Sequence, residues 1–256
     1  MGNKFNKKAA GGNQGSGLLI YGRHAVEAAI GNTGRVINRI MTTAENSEVL
    51  KKLLLQSGRD TALLKVVERK EIDKLLPAEA VHQGIAAQVK PLENQLLEDI
   101  CILAEGKDRC RVLILDQVTD PQNVGAIIRS CAAFGADALI MQDKNAPAES
   151  GAMVKASAGT IEFLPVCRVT NLSRAIEYLK KAGFWVAGMD GYAETTIDKM
   201  NKNGRIAIVM GSEGKGMRRL VEESCDETVK LPIDARVESL NVSTAAAIAL
   251  YEMSRE

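Results

Sequence analysis

Three polar segments, each following an apolar run, hold the residues whose types and spacing could do chemistry. The first is Asp116-Gln117-Val118-Thr119-Asp120-Pro121-Gln122-Asn123-Val124-Gly125, with Arg129 behind it. The second is Gly211-Ser212-Glu213-Gly214-Lys215-Gly216, and the third is Ser239-Leu240-Asn241-Val242-Ser243. Together they offer a guanidinium, a carboxylate, asparagine amides and serine hydroxyls. Such groups bind anions, orient a hydroxyl and stabilise developing negative charge. With only His24 and His82 in the chain, Ser-His-Asp or Cys-His chemistry is not expected. The cysteines, Cys101, Cys110, Cys131, Cys167 and Cys225, form no C-x-x-C pair, so no metal site is expected and reduced cytosolic thiols fit best.

Each segment has a second, plainer reading. Asp120 before Pro121 is a helix start, an N-cap acceptor followed by Pro at the first helical position. Asn123 in that first turn either holds the loop or orients a substrate hydroxyl. Arg129 has Gly125, Ala126, Ala132 and Ala133 at i±3 and i±4, so a backbone or substrate can approach it closely; the same small residues would also let helix and sheet pack tightly. Gly211, Gly214 and Gly216 allow positive φ or close ligand approach. Because Lys215 is followed by Gly, this is not a Walker A loop, and it is not G-x-G-x-x-G either. Glu213 binds a ligand or caps the turn. Arg218 and Arg219 fall at a helix start, where the macrodipole disfavours cations; RNA phosphate or solvent would relieve that. If residues 239–243 are extended, Ser239, Asn241 and Ser243 share one face; alternatively Asn241 or Ser243 caps the last helix.

To bring three segments together, strands must end at one edge. From Arg111 onward, apolar runs at Val112–Leu115, Ala138–Met141, Phe163–Val166, Trp185–Ala187, Ile206–Met210 and Thr228–Leu231 alternate with helical segments at Asn123–Phe134, Leu172–Lys181, Arg218–Ser224 and Thr244–Arg255. Buried strands separated by helices predict an α/β fold with a mostly parallel sheet covered on both faces, whose ligands sit at the carboxyl ends of the strands. A smaller α/β domain is expected over 18–91, with helices at His24–Ile30, Glu48–Gln56 and Lys70–Leu76 and strands at Val36–Thr42, Leu63–Val67 and Ile85–Lys90. Residues 92–109 read as a linker and 110–256 as the catalytic domain. Residues 1–17, with Lys4, Lys7 and Lys8, read as a disordered basic tail or a flexible arm touching phosphates; they lack the apolar stretch of a signal peptide. Across 256 residues the 33 Lys and Arg nearly balance 32 Asp and Glu, so any nucleic-acid footprint must be local. No apolar run reaches the ~18 residues of a membrane span.

D-x-V-T-D-P-Q-N-V-G-A-I-I-R-S-C-A-A-F-G, V-M-G-S-E-G-K-G-M and L-P-I…S-L-N-V-S closely resemble the three motifs of the SpoU/TrmH (SPOUT) family of RNA ribose 2′-O-methyltransferases, in the right order, over Arg111 to Glu256. Tyr21-Gly22-Arg23-His24-Ala25-Val26-Glu27-Ala28 and Val81-His82-Gln83-Gly84-Ile85-Ala86 resemble the accessory domain of the branch that methylates a guanosine in the peptidyl-transferase P-loop of 23S rRNA. That domain is similar to kink-turn-binding ribosomal proteins. The resemblance implies a trefoil knot in the catalytic domain, a homodimer, S-adenosyl-L-methionine held in the knot, and a cytoplasmic enzyme acting on 23S rRNA or a large-subunit assembly intermediate. It places Asn123, Arg129, Glu213, Ser239 and Asn241 at the family's functional positions. It makes the backbone around Met210, Gly211, Leu231, Ile233 and Leu240 the cofactor cradle.

The family often casts the arginine as base, which fits physics poorly: deprotonating a guanidinium at pH 7 costs about 7.5 kcal/mol. A charged Arg129 that binds the adjacent phosphate and stabilises the alkoxide is preferred, with the proton leaving to phosphate, water or Glu213. Three other readings remain: a tRNA ribose methyltransferase of the same family, argued against by the accessory domain; a non-catalytic RNA-binding assembly factor, argued against by intact motifs; and a doubly wound small-molecule nucleotide enzyme, argued against by the missing glycine fingerprint.

Overall fold

The computed structural model describes residues 17–255; the tail expected at 1–17 lies outside the described residues except for Gly17. The chain begins β1 (Leu18–Tyr21), α1 (Arg23–Gly31), β2 (Ile37–Thr42), α2 (Ala44–Gln56), β3 (Leu64–Val66), α3 (Arg69–Asp73) and β4 (Ile85–Val89). These four strands form a sheet of order β1-β4-β2-β3. β4 runs antiparallel to both β1 and β2, and β2 is parallel to β3. As an inner strand β4 is shielded on both faces, which suits its Ile-Ala-Ala core. α1 closes one face with Ala25, Val26, Ala29 and Ile30, at the spacing of one helical stripe.

The second half holds α4 (Leu97–Ala104), β5 (Cys110–Leu115), α5 (Pro121–Ala133), β6 (Ala138–Gln142), α6 (Gly151–Ala156), β7 (Val166–Val169), α7 (Leu172–Lys181), β8 (Phe184–Met189), β9 (Thr195–Thr196), β10 (Arg205–Met210), α8 (Arg219–Glu222), β11 (Glu227–Lys230) and α9 (Val242–Ser254). Seven strands lie in the order β7-β6-β5-β10-β8-β11-β9, and every neighbouring pair is parallel. Every residue of β5 is buried. Leu113 and Leu115 pack with Ile127 and Ile128 of α5 and with Ala246 and Leu250 of α9. Val112 and Ile114 pack on the other face with Ile100 of α4, Ile176 of α7 and Val221 of α8. The α/β class with helices on both faces is therefore observed.

The structure overturns two expectations, adds one helix and decides between two readings. The stretch 92–109 is not all linker, because α4 inside it buries Ile100, Cys101 and Ala104 in the second-half core. The strand expected at Phe163–Val166 starts only at Val166: a left-handed Gly159 opens a 3-10 turn over Thr160–Glu162, and Phe163 is left 68% exposed. α6 went unpredicted; its six residues are too few for a periodic signal, and it is held by Ser150, whose hydroxyl accepts from Met153 N. Of the two readings of residues 239–243 the cap is the one observed: Asn241 caps α9, which begins at Val242.

The two halves share a core. One apolar cluster contains Ile20, Val26 and Ile30 of the first half together with Leu113, Ile127 and Met153 of the second. Two glycines allow this contact: a Cβ on Gly151 would overlap the Leu19 carbonyl and the Tyr21 ring, and one on Gly159 would overlap Ala28 Cβ and the His24 carbonyl. Beside them the Arg35 side chain is wholly buried. It donates to Glu162 (2.7 Å), Glu149 (2.6 Å) and the Lys90 carbonyl (2.7 Å). Burial alone would lower the Arg35 pKa, but the hydrogen bonds to Glu162 and Glu149 outweigh it and leave it above the ordinary value.

Candidate active site

The order of the large sheet reverses between β5 and β10: β5 leads outward to β6 and β7, and β10 leads the other way to β8, β11 and β9. Such a switch point opens a crevice at the carboxyl ends of its strands. Leu115 stands opposite Met210, so Asp116 and Gly211 leave the sheet side by side, and Asp116 N donates to the Met210 carbonyl at 2.8 Å. The Asp116 side chain is fully buried. It accepts from Arg218 N (2.8 Å) and Arg218 Nε (2.9 Å), with Nη2 also at 2.8 Å. This folds the loop after β10 back over the end of β5. The anion that offsets Arg218 is therefore internal, and Arg219 pairs with Glu223 at 2.7 Å. Arg218 is thus offset within the chain, while Arg219 lies on the solvated face that was the plainer reading of this pair. An acid directly after a wholly apolar run was the sequence signal for Asp116, and it went unused.

The first and third segments meet. Asp120 caps α5 by accepting from Gln122 N (3.2 Å) and Asn123 N (3.1 Å), with Pro121 at the first helical position. The Asn123 carbonyl oxygen Oδ1 accepts from Asn241 Nδ2 at 3.2 Å. Asn241 also caps α9, its Oδ1 accepting from Ser243 N (3.0 Å) and Ser243 Oγ (2.6 Å). The cap reading and the site reading of Asn241 thus hold together, one through each end of its amide. Arg129 is exposed on α5, and among the described residues no hydrogen bond or ion pair reaches it. Gly125 explains one of its small neighbours: a Cβ there would overlap the Met153 carbonyl and Ala156 Cβ of α6.

The second segment folds on itself. Ser212 and Gly216 exchange two backbone bonds, at 3.0 and 2.9 Å, around Gly214 (φ 77°) and Gly216 (φ 64°). A Cβ on Gly211 would overlap Gly216 and Met217, so the close approach at Gly211 is by its own chain. Glu213 stands exposed in this turn and engages no partner among the described residues. Ser239 is likewise exposed, Leu231 and Leu240 are half-buried, Ile233 is 40% exposed and Met210 is buried. Among the described residues the backbone groups of Leu231, Ile233 and Leu240 make no backbone hydrogen bond. Of the ten predicted residues, then, Asn123 and Asn241 touch, while Arg129, Glu213 and Ser239 remain open to a ligand.

Burial disfavours the thiolate at each cysteine. It pushes Cys110, Cys131 and Cys225 up to about 12 and Cys167 to about 11, and raises Cys101. A cavity of about 320 Å³ lies between residues 91–94 and the ends of β6 and β7. None of the ten predicted residues lines it. No described helix is long and apolar enough to cross a membrane.

The SpoU rRNA methylase family profile matches residues 111–251, and the RNA 2′-O ribose methyltransferase substrate-binding profile matches residues 19–95. A protein of Staphylococcus epidermidis named as a TrmH family tRNA/rRNA methyltransferase is 38% identical over 243 residues, 93% of this chain and 96% of the relative. The SpoU methyltransferase AviRb of Streptomyces viridochromogenes, solved in complex with the cofactor AdoMet, superposes with a TM-score of 0.76 over 92% of this chain and 88% of its own, at 23% identity. The A. aeolicus TrmH/SpoU tRNA-modifying enzyme superposes with a TM-score of 0.52 over 62% of this chain and 80% of its own, at 24% identity.

Proposed function

The chain belongs to the SpoU rRNA methylase family, and from that premise we propose that it transfers a methyl group from S-adenosyl-L-methionine to the ribose 2′-hydroxyl of a guanosine in the peptidyl-transferase P-loop of 23S rRNA. The observation that carries the reading is the Asn123–Asn241 hydrogen bond. It joins the first and third segments at the switch point, on the helix that also carries Arg129, which has no partner among the described residues.

In this reading the backbone around Met210, Gly211, Leu231, Ile233 and Leu240 holds the cofactor, as the unused groups beside half-buried Leu231 and Leu240 suit. Bound there, the cofactor supplies an electrophilic methyl on a sulfonium. Asn123, whose backbone N is held by the Asp120 cap, and Asn241, whose side chain caps α9, orient the ribose hydroxyl, and the exposed Ser239 lies two residues before that cap. Positioning of this kind lowers barriers by several kcal/mol, up to about 7–11 in well-oriented systems. Arg129 stays charged, binds the neighbouring phosphate and stabilises the oxyanion as it forms. The proton leaves to that phosphate, to water, or to Glu213.

The 18–91 half serves as the RNA-binding accessory domain and the 110–256 half as the catalytic domain, with the knot and the cytoplasmic location that the family implies. A homodimer fits α9, which leaves Ile248 39% and Tyr251 49% exposed. The choice of rRNA over tRNA is supported by the tRNA-modifying neighbour matching only 62% of this chain.

The test is to map 2′-O-methylation on total RNA from a strain lacking the gene, before and after restoring it. Loss and rescue at the P-loop guanosine is the expected result. A change at a tRNA position would overturn the substrate assignment while keeping the chemistry, and no change anywhere would move a binding-only role ahead.

A further inference from the structure

The cavity of about 320 Å³ lies where the chain passes from the first half to the second, with residues 91–94 as one wall. Its floor is apolar: Ile128 of α5, Met141 of β6 and Met153 of α6 are all buried there. Its rim is charged, with Glu93, with Asp143 just after β6, and with Arg168 of β7. Glu149 also lines it, but both of its oxygens are taken, one by Arg35 at 2.6 Å and the other by Leu92 N at 2.8 Å. Arg168 is held in place. Its backbone N donates to Asn94 Oδ1 at 2.6 Å, Asn94 Nδ2 donates to its carbonyl at 3.2 Å, and its Nη2 donates to the Pro147 carbonyl at 2.5 Å. Among the described residues, its other guanidinium donors and the carboxylates of Glu93 and Asp143 engage no partner.

A guanidinium and two carboxylates that share one cavity without closing on each other leave room for a ligand between them. Such a ligand accepts hydrogen bonds on one side and donates them on the other. The volume is at the small end of ligand pockets, about 300–1,000 Å³, and the apolar floor suits a flat ring, whose faces methionine thioethers contact well. Among the nucleobases guanine alone matches both edges. Its O6 and N7 accept from an arginine fork, while N1–H and the N2 amino group donate to a carboxylate. Adenine presents a donor at N6 where the arginine needs an acceptor, and the pyrimidines lack N7. We infer that this cavity binds a guanine base, with Arg168 on its O6–N7 edge and the carboxylates of Asp143 and Glu93 on its N1–N2 edge. The base belongs to the substrate RNA and is turned out of its stack to enter. That source rests on the RNA-methyltransferase reading, whereas the base chemistry does not. Ile128 joins the floor to α5, the helix that carries Asn123 and Arg129, so an RNA held here engages both halves beside the candidate active site.

The test is equilibrium dialysis of the full-length protein against guanosine and, separately, adenosine, with saturating S-adenosyl-L-methionine present to fill the cofactor site. Guanosine is expected to bind and adenosine not. Arg168→Gln and Asp143→Asn should each weaken guanosine by about tenfold, as loss of a charged hydrogen bond does. Ala146→Phe, which fills the cavity from a half-buried wall, should abolish binding. Melting at the wild-type temperature verifies that each variant folds, and Asp143 is exposed on its loop, so its substitution tests the site without disturbing the core. Displacement of guanosine by unmodified, in vitro transcribed 23S rRNA is expected and assigns the base to RNA. Guanosine that binds but is not displaced would overturn RNA as the source and leave a site for the free nucleoside. No guanosine binding by wild type, equal binding of adenosine, or unchanged guanosine binding in both Ala146→Phe and Asp143→Asn would overturn the site, whether or not the transcript is methylated. Guanosine binding without methylation of the transcript would instead overturn the functional reading and leave the site standing.

Discussion

Arg129 carries its charge on an exposed part of α5 with no carboxylate engaging it among the described residues, whereas Arg218 and Arg219 are each committed to one. Arg129→Ala should therefore leave the melting temperature and cofactor binding unchanged while lowering the single-turnover methylation rate by about 100–1,000-fold, the usual effect of removing an oxyanion donor. A pH–rate profile that rises log-linearly without a plateau, together with full activity in Arg129→Lys, would contradict a charged, phosphate-binding role. Asn241 has two duties, and two substitutions separate them. Asn241→Ala loses the cap on α9 and should destabilise by about 1 kcal/mol in urea melts. Asn241→Ser keeps a capping oxygen but drops the bond to Asn123, so stability should stay near wild type while methylation falls. Cys131 tests burial itself. Its thiol rises from 9.0 to about 12 in the folded chain, so folding favours the protonated form. That contribution is fully present below pH 9 and is lost as pH rises toward about 12. Over that window each such thiol removes about 1.4 kcal/mol of stability per pH unit; Cys131→Ala should make the alkaline decline shallower by one proton in denaturant titrations at stepped pH.

At the scale of elements, helix α5 presents the site because both of its ends and one of its faces are fixed. Asp120 caps its start. At the other end, Phe134 meets the Tyr251 ring of α9 edge-on, with centroids 5.8 Å apart. Gly125 lets α6 press against its side. Gly125→Ala should force α5 and α6 apart, costing about 1–3 kcal/mol as overpacked sites do, and should lower methylation by moving Asn123 away from Asn241. Equilibrium unfolding combined with the methylation assay reports both effects. Wild-type stability would mean that α6 gives way more easily than the contact implies. Short elements contribute here too: α6, only six residues long, supplies the wall for α5 and carries Lys155 across to the first half.

Across the whole molecule, the two halves are joined by a continuous apolar cluster and by the buried Arg35 hub. A buried ion pair adds little net stability but is damaging to break from one side. Arg35→Ala would strand Glu149 and Glu162 at the junction and should cost about 3–5 kcal/mol. Adding Glu149→Gln and Glu162→Gln should recover part of that loss, because neutral amides remove the stranded charge. Denaturation followed through Trp185, which lies in the second half, and through far-UV circular dichroism should show one coincident transition for wild type. Separate transitions in wild type would contradict the shared core.

The sequence by itself determined the α/β class, most strands and helices, and the three segments that carry the candidate chemistry. Apolar runs such as residues 112–115 and 206–210 are set by local burial, and Asp120-Pro121 is a local helix start. The Leu172–Lys181 helix was legible to its last residue because its stripe repeats over several turns. What failed was short or governed by distant contacts. α4 lay inside an apparent linker because it is amphipathic only toward a sheet that comes later in the chain. The run at Phe163–Val166 is a strand only from Val166, because the left-handed Gly159 opens a 3-10 turn just before it, and Glu162 in that turn meets Arg35, 127 residues away. Only the tertiary structure decided which groups are partnered. It gave Arg218 to Asp116 and Asn241 to Asn123 across 102 and 118 residues, and among the described residues it left Arg129 and Lys155 without a carboxylate. Residue type and spacing reveal which groups can bear charge, but pairing is a property of strand order, and in a parallel sheet strand order brings together segments far apart in the chain.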